Sequence, residues 1–215
     1  MKKSLLLLGV IAALAVGVPA YSQYIYMDVN GDGVCTSADL LTSSVTGVDL
    51  YLDTNHNAAG TLSVCDDGSG TALDFSSIDL VVHSSGSGSV TYNSFTPSAA
   101  LTGAGFTQVN ALTVAGADAG VGYAISGITF ASPGLYKLGT LSVTVTGNPQ
   151  LSYLGTSPDP SIPSFGTGFG SHCSGTDNPN TITLGIDFND TCGTAAPTAN
   201  ATESTTWGKI KQLYR

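Results

Sequence analysis

Side chains that carry oxygen recur at fixed intervals in one twelve-residue stretch of the chain, Asp28 to Asp39. Positions 1, 3, 5, 9 and 12 of this stretch are Asp28, Asn30, Asp32, Thr36 and Asp39. Glycine stands at position 6, where such a loop must turn sharply, and Val34 can offer its backbone carbonyl at position 7. Calcium accepts several oxygen ligands in flexible geometry, and Thr36 can act directly or through water. The spacing therefore predicts a calcium-binding loop.

We expect the ion to be structural rather than regulatory. Calcium is abundant outside cells, and extracellular sites of this kind are weak and usually filled. The competing interpretation is an acidic turn without a metal, which the glycine at position 6 and the acid at position 12 disfavour. Calcium is the one cofactor that the sequence predicts.

A second acidic cluster carries oxygen at positions 1, 3 and 5 only, and its members are Asp53, Asn55 and Asn57. Position 12 would be Val64, whose side chain cannot bind a metal. Two interpretations stay open. The cluster forms a second calcium site with help from Asp66 or Asp67, or it is an ordinary polar turn.

Residues 1–22 are predicted to be a signal peptide. Two lysines precede the apolar run Leu5–Val18, which is too short to span a bilayer, and small residues follow it. Cleavage after Ser22 is favoured over cleavage after Ala20. We therefore expect a secreted, extracellular or cell-surface protein that begins at Gln23, with no membrane span in its mature form.

The charge of the predicted mature chain is strongly negative. It holds 4 basic and 15 acidic residues, a formal net charge of −11. Lys137 is the only Lys or Arg between Gln23 and Gly208. Phosphate binding needs clustered Lys and Arg, so nucleic acid is excluded as a partner.

Four cysteines in an exported chain predict two disulfides. Three pairings are possible among Cys35, Cys65, Cys173 and Cys192. The most local pairing, Cys35 with Cys65 and Cys173 with Cys192, is favoured. A zinc site is disfavoured because the chain has neither a C-x-x-C motif nor a nearby pair of histidines.

The rest of the chain predicts an all-β fold, a jelly roll or a β-sandwich, in residues 23–193. Short apolar segments alternate with turns rich in Gly, Ser, Asn and Pro. The predicted strands are Tyr24–Met27, Val48–Leu52, Ile78–His83, Ser89–Phe95, Val109–Val114, Val121–Phe130, Leu135–Thr146, Gln150–Leu154 and Thr181–Phe188. Ser37 can cap a short helix over residues 38–41 at the end of the calcium loop.

The C-terminal part of the chain changes character twice. Residues 194–206 are rich in Thr, Ala and Pro and read as a linker. Residues 207–215 form a basic amphipathic tail with apolar residues at helical spacing. This tail can dock on its own domain, on another subunit or on an export machine, and a membrane surface is the weakest option.

Two stretches resemble known families. Asp28 to Asp39 has the register of an EF-hand loop and, with Leu40, resembles one copy of the duplicated calcium segment of dockerins. One complete copy is present, whereas dockerins carry two, and a strand stands where the entering helix of an EF-hand would be. Ile78–Leu154 resembles the cohesin-type β-sandwich, and Thr206–Arg215 is similar to tails of exported bacterial proteins. The resemblance implies a cohesin-like sandwich with a calcium-binding loop.

Catalysis is not predicted. The histidines are His56, His83 and His172, and no Gly-x-Ser-x-Gly motif is present. The first glutamate is Glu203, so a pair of catalytic carboxylates would have to consist of aspartates, most of which lie in turns. We expect a protein that is not an enzyme.

The favoured function is that of a calcium-stabilised structural protein, a surface or filament subunit that associates with itself or with another surface protein. Tyr24–Met27 is a candidate strand for pairing with a neighbouring copy, although an edge strand of its own sheet is somewhat favoured. The alternative is an adhesin module that binds protein or carbohydrate. The aromatics considered for a glycan are Tyr92, Phe95, Tyr123, Phe130, Tyr136 and Tyr153, for most of which core packing is favoured.

Overall fold

The computed structural model describes residues 24–56, 60, 62, 74–125, 131–154, 160, 167–170 and 182–183. In these residues the chain forms eight strands and one short helix. They are β1 (Tyr24–Asp28), β2 (Gly47–Asp53), β3 (Ser77–Pro97), α1 (Ala99–Gly103), β4 (Phe106–Ala115), β5 (Asp118–Ile125), β6 (Leu135–Tyr153), β7 (Gly168–Gly170) and β8 (Ile182–Thr183). The predicted all-β class is confirmed.

All eight strands belong to one antiparallel sheet. The main order is β1-β2-β6-β3-β5-β4, while β7 pairs with the start of β3 and β8 pairs with β7. Among the described strands, β1 and β4 therefore each have a strand neighbour on one side only. The finer assignment to a jelly roll or a cohesin-like sandwich stays a prediction.

Two strands are much longer than the sequence predicted. β3 has 21 residues and β6 has 19, and the two pair with each other from Val82 to Pro97 and from Gly139 to Tyr153. The prediction broke each of them in two, because Gly and Ser interrupt the apolar pattern. That division was wrong, since the backbone hydrogen bonds of the ladder do not depend on which side chains are present.

The long strands bend strongly. Phe95 and Ile78 both belong to β3 and would lie about 55 Å apart in a straight strand. Tyr123 pairs with Ile78 in register, yet its ring centroid lies 5.7 Å from that of Phe95. The sheet must therefore curl over, so that its two halves share one core.

The core is built from the inward positions of the strands. In β2 every second residue is buried, namely Val48, Leu50 and Leu52. This alternation is the period of two of a strand with one buried face. The largest fully buried side chains are Phe75, Phe169, Ile25, Met27, Leu50, Leu52, Leu80, Leu101, Leu138, Leu141 and Leu151.

The helix lies elsewhere than predicted. Residues 38–41 form a turn rather than a helix: the Asp39 amide donates to the Thr36 carbonyl at 3.2 Å, and the Leu40 amide donates to the Ala38 carbonyl at 2.8 Å. These bonds join residues three and two positions apart, whereas an α-helix requires bonds between residues four positions apart. The helix that does form, α1, is capped by the Ser98 side chain, which accepts a hydrogen bond from the Leu101 amide.

No helix in the described residues is long and apolar enough to cross a bilayer. The predicted signal peptide (1–22), linker (194–206) and tail (207–215) lie outside the described residues, as does most of the predicted strand at residues 181–188.

Candidate calcium loop and its contact with the first strand

Asp28, the first residue of the predicted calcium loop, is the last residue of β1 and only 1% exposed. Its two carboxylate oxygens accept hydrogen bonds from the amides of Gly31 at 2.7 Å and Gly33 at 2.6 Å. Both glycines have a φ of 79°, which other L-residues adopt only at a cost. The glycines therefore let the chain turn back over the carboxylate.

Asp39, the last residue of the loop, is 0% exposed and closes the turn from the other end. One carboxylate oxygen accepts from the amides of Val29 at 2.8 Å and Asn30 at 3.2 Å. The other accepts from the amide of Thr36 at 2.8 Å. The first and last acids of the loop thus both accept hydrogen bonds from amides of the loop.

The intermediate positions are closer to solvent. The Asn30 side chain accepts from the Asp32 amide at 2.9 Å, and the Asp32 carboxylate accepts from the Val34 amide at 2.9 Å. The Thr36 hydroxyl accepts from the Ala38 amide at 3.2 Å. The structure therefore brings the six predicted ligand residues into one closed loop.

The oxygen donors of the predicted set are of the kinds that calcium accepts, but the structure does not bring the carboxylates together as a metal site. Among the described residues, no group of three or more His, Cys, Asp or Glu side chains is arranged to hold a metal ion. The predicted set supplements its carboxylates with amide, hydroxyl and carbonyl oxygens, the mixture that calcium accepts. Burial raises the pKa of Asp28, and the charges of Asp39 and Asp32 add to the rise, while the amides of Gly33 and Gly31 oppose it. A bound cation would offset this repulsion between carboxylates.

Tyr26 fastens the loop to β1. Its hydroxyl donates to the Gly33 carbonyl at 2.8 Å, and the side chain is only 4% exposed. Its ring stacks between those of Tyr24 and Tyr51, with centroids 4.9 Å and 5.0 Å away. Burial raises the pKa of Tyr26 well above the usual value of 10.0. The loop residues Gly33 and Cys35 thus contact Tyr26, the middle one of three stacked tyrosines.

Cys35 belongs to the same contact. It packs against Tyr26, and it is disulfide-bonded. The other three cysteines lie outside the described residues, so the favoured pairing of Cys35 with Cys65 and of Cys173 with Cys192 stays a prediction.

The backbone of Tyr26 has a third anchor. The Tyr153 hydroxyl, at the end of β6, donates to the Tyr26 carbonyl at 3.1 Å in a buried bond. Among the described strands β2 is the one neighbour of β1, so this bond holds β1 from a second direction. The calcium loop and β6 therefore both bond to Tyr26 of β1.

Sequence reasoning did not single out the tyrosine row. Tyr24 and Tyr26 alternate with the core residues Ile25 and Met27, and Tyr51 alternates with Leu50 and Leu52. That alternation placed the tyrosines on the opposite face of the two strands. The sequence alone does not show that Tyr26 and Tyr51 are partners in the β1–β2 ladder, which is why it did not predict that their rings stack.

In the second acidic cluster, the described residues Asp53–His56 form a polar turn. The Asp53 carboxylate accepts from the amides of Asn55 at 2.8 Å and His56 at 3.1 Å. Its other oxygen lies 3.1 Å from the His56 ring nitrogen Nδ1. Asn57 lies outside the described residues. The described part of this cluster uses its carboxylate to stabilise the turn.

Most of the aromatics considered for a glycan are core residues. Tyr92, Tyr123 and Tyr153 are 6%, 3% and 6% exposed, and Phe95 and Tyr136 are partly buried and pack against the core. Phe130 lies outside the described residues. Three of these side chains are therefore core residues, and Phe95 and Tyr136 lie between the core and the surface.

Lys137 is paired with an acid. Its ammonium group contacts the Asp49 carboxylate, whose second oxygen accepts from the Thr140 hydroxyl at 2.6 Å. Asp49 is in β2, and Thr140 is its partner in β6. The ion pair therefore ties two neighbouring strands together on the surface.

The fold and the loop define an all-β chain, built on one curled antiparallel sheet whose first strand is held down by an acidic loop. Comparison of the chain with protein-family models, curated proteins and solved structures gave no match.

Proposed function

We propose that this chain is an exported, non-catalytic structural protein of the cell surface or extracellular space, which assembles with copies of itself. In this proposal the loop Asp28–Asp39 binds calcium and stabilises the N-terminal end of the domain. Asp28, Asn30, Asp32, Val34, Thr36 and Asp39 would hold the ion. Calcium supplies charge compensation there and takes no part in a reaction.

One observation carries this proposal: β1 contributes fully buried residues to the core, yet β2 is its only strand partner in the part of the chain that the structure describes. Ile25 and Met27 are both 0% exposed. A short edge strand that completes a core is a suitable element for assembly, because the same contacts can be made within one chain or between two. The acidic loop next to it would make the assembly depend on calcium.

Negative-stain microscopy of the processed protein, with calcium and after chelation, tests the proposal. We expect regular filaments with calcium that fray or lose protease resistance after chelation. Single, monodisperse particles in both conditions would overturn self-assembly. A glycan array would then test the adhesin alternative.

A further inference from the structure

The predicted calcium loop, together with the residue that follows it, exposes apolar side chains next to a carboxylate. Val34 and Leu40 are 55% and 50% exposed, and Asp32 is exposed as well. Single exposed apolar residues are ordinary on a protein surface, but two of them in one closed loop with an acid suit an amphipathic, basic partner. We call this the loop surface and define it by Asp32, Val34 and Leu40.

No basic side chain of the described residues forms an ion pair with the loop. The loop contains three carboxylates, those of Asp28, Asp32 and Asp39, and no Lys, Arg or His. The ion pairs in the described part of the chain involve other acids and are Lys137–Asp49, His56–Asp53 and His83–Asp118. A calcium ion in the loop would compensate two of the three charges and would leave one.

The tail, residues 207–215, is the segment of this chain whose chemistry matches the loop surface. Apart from Lys137, every Lys and Arg after Gln23 belongs to it, namely Lys209, Lys211 and Arg215. It contains no Asp or Glu. Its apolar residues Trp207, Ile210 and Leu213 recur every three positions, which is a helical spacing. The tail thus offers apolar and basic groups to a surface that offers apolar and acidic groups.

A short series of contacts connects the end of the described chain with the loop. β8, which ends at Thr183, pairs with β7. Thr167, one position before β7, donates its backbone amide to the Leu154 carbonyl at 2.8 Å. The neighbouring Tyr153 bonds to Tyr26, which bonds to the loop. The segment that leads to the tail therefore starts near the end of β6, which also contacts β1.

The segment between β8 and the tail is long enough to reach the loop. Residues 184–206 span up to about 76–83 Å when extended. A compact domain of about 170 residues has a radius of gyration of about 16 Å, so this length is sufficient for any path over its surface. Such a tether holds the tail at an effective concentration on the order of 1 mM at its own loop. In dilute solution the tail of the same molecule is therefore favoured over that of a second copy.

We propose that the tail, residues 207–215, docks on the loop surface of the same molecule. Its apolar side chains lie against Val34 and Leu40, and its basic side chains face the carboxylates of the loop. The contact is compatible with calcium in the loop, because Val34 would bind the ion through its backbone carbonyl and Leu40 lies outside the predicted ligand set. This inference goes beyond the proposed function, since it requires neither assembly nor a bound ion.

Trp207 is the only tryptophan of the chain, so its fluorescence reports on the tail without a label. The full processed chain is measured in dilute solution with calcium, and the synthetic peptide 207–215 is the reference for a free tail. We expect the chain to emit at shorter wavelengths than the peptide, with less quenching by acrylamide, at every protein concentration. Equal emission and quenching would overturn docking. A shift that grows with protein concentration would overturn docking within one molecule.

The double variant Val34→Ser/Leu40→Ser tests whether the loop surface is the site. Its Trp207 emission and quenching should move to those of the free peptide. Val109→Ser/Val114→Ser is the matched control, because these two residues of β4 are also apolar and exposed, at 58% and 48%. It should keep the wild-type emission. An unchanged emission in the loop variant, or an equal loss in the control, would overturn the assignment to the loop.

Two variants of the tail test the role of charge. They leave every core residue of the described fold unchanged, so they are informative even where a loop variant is unstable. Lys209→Glu/Lys211→Glu should release Trp207, whereas Lys209→Arg/Lys211→Arg keeps the charge and should keep the docked emission. Release in both variants or in neither would overturn docking by charge complementarity. Because these readouts need no polymer, single particles in microscopy would overturn the proposed assembly and leave the docking of the tail standing.

Discussion

The hydroxyl of Tyr153 donates a hydrogen bond to the carbonyl of Tyr26 at 3.1 Å, which joins two residues 127 positions apart. The bond connects the last residue of β6 with the middle of β1, the two elements being separated by β2 in the order of the sheet. It shows how far the sheet curls. It also makes the retention of β1 depend on a residue far away in sequence.

Tyr153→Phe should weaken the attachment of β1. The buried carbonyl of Tyr26 loses this donor, and loss of one partner of a buried hydrogen bond costs about 1–3 kcal/mol. Urea denaturation measures the change in the free energy of unfolding, and hydrogen exchange of the β1 amides measures its local opening.

Tyr92→Phe is the control for Tyr153→Phe. Tyr92 is also a buried donor, bonded to the Ala117 carbonyl at 2.9 Å, but it belongs to β3, which does not pair with β1 among the described strands. It should lower global stability without a selective increase in exchange at β1. Equal exchange at β1 in the two variants would contradict a specific role for the Tyr153 bond.

Gly88 and Gly147 are required by close backbone approach in the β3–β6 ladder. They face each other in register, and a Cβ added to them would lie 2.2 Å from the Thr146 carbonyl and 2.6 Å from the Ser87 carbonyl, respectively. Because backbone rather than a flexible side chain would have to move, we expect Gly88→Ala and Gly147→Ala each to cost more than about 2 kcal/mol. Thermal and urea unfolding give the magnitudes.

Gly103→Ala is the matched control for these two variants. No atom lies within 4 Å of a Cβ at this position, which is the last residue of α1. Alanine should be neutral there or stabilise by up to about 1 kcal/mol, because it has the higher helix propensity. A loss at Gly103 as large as at Gly88 would remove the steric explanation.

The sequence predicted the parts of the molecule that depend on local patterns. Asp28 and Asp39 could be assigned to one loop because the loop closes within twelve residues, and the glycines between them mark its turns. The strand before the loop was predicted for the same reason, since Tyr24–Met27 alternates between two faces. Both features rest on contacts close in sequence.

What the sequence could not supply are contacts between distant residues. Nothing near Tyr26 indicates that Tyr153 will bond to it, or that Tyr51 will stack on it. The Ser-Gly run that begins at Ser84 looked like a loop, because its pairing with β6 is a tertiary contact. The helix predicted over residues 38–41 failed because the Asp39 side chain bonds back to the loop, which holds the chain in a turn.

Alkaline pH should unfold the protein through its buried tyrosines. Burial raises the pKa of Tyr26, Tyr92 and Tyr153 above the usual 10.0. A raised folded pKa means that the stabilisation is fully present below the unfolded pKa and is lost as pH rises above it. Each tyrosine should cost about 1.4 kcal/mol at one pH unit above the unfolded value.

Urea unfolding between about pH 9 and about pH 12, read with tyrosinate absorbance, measures this loss. Tyr92→Phe removes one of the three groups, so its stability should fall less steeply with pH than that of the wild-type protein. An unchanged slope in this variant, or full ionisation of all tyrosines before unfolding, would contradict the assignment.

Calcium should stabilise the wild-type protein and fail to stabilise Asp39→Asn. The asparagine keeps the shape of the side chain but removes a charge. The two carboxylate oxygens of Asp39 accept hydrogen bonds from the amides of Val29, Asn30 and Thr36. The NH₂ group that replaces one of these oxygens cannot accept a hydrogen bond. Some stability is therefore lost without metal. For an extracellular site with a Kd of about 10⁻⁴–10⁻³ M, about 1 mM calcium adds about 0.4–1.4 kcal/mol to the wild-type free energy of unfolding.

The quantity that reports on the ion is the difference between calcium and chelator in each protein, because the hydrogen bonds lost in Asp39→Asn affect both conditions equally. Asp118→Asn is the control, since Asp118 is in β5 and bonds to His83 at 2.6 Å. It should retain the full calcium increment. A calcium increment that survives in Asp39→Asn would show that the ion binds elsewhere, and its absence from the wild-type protein would leave the loop as a turn closed by its own carboxylates.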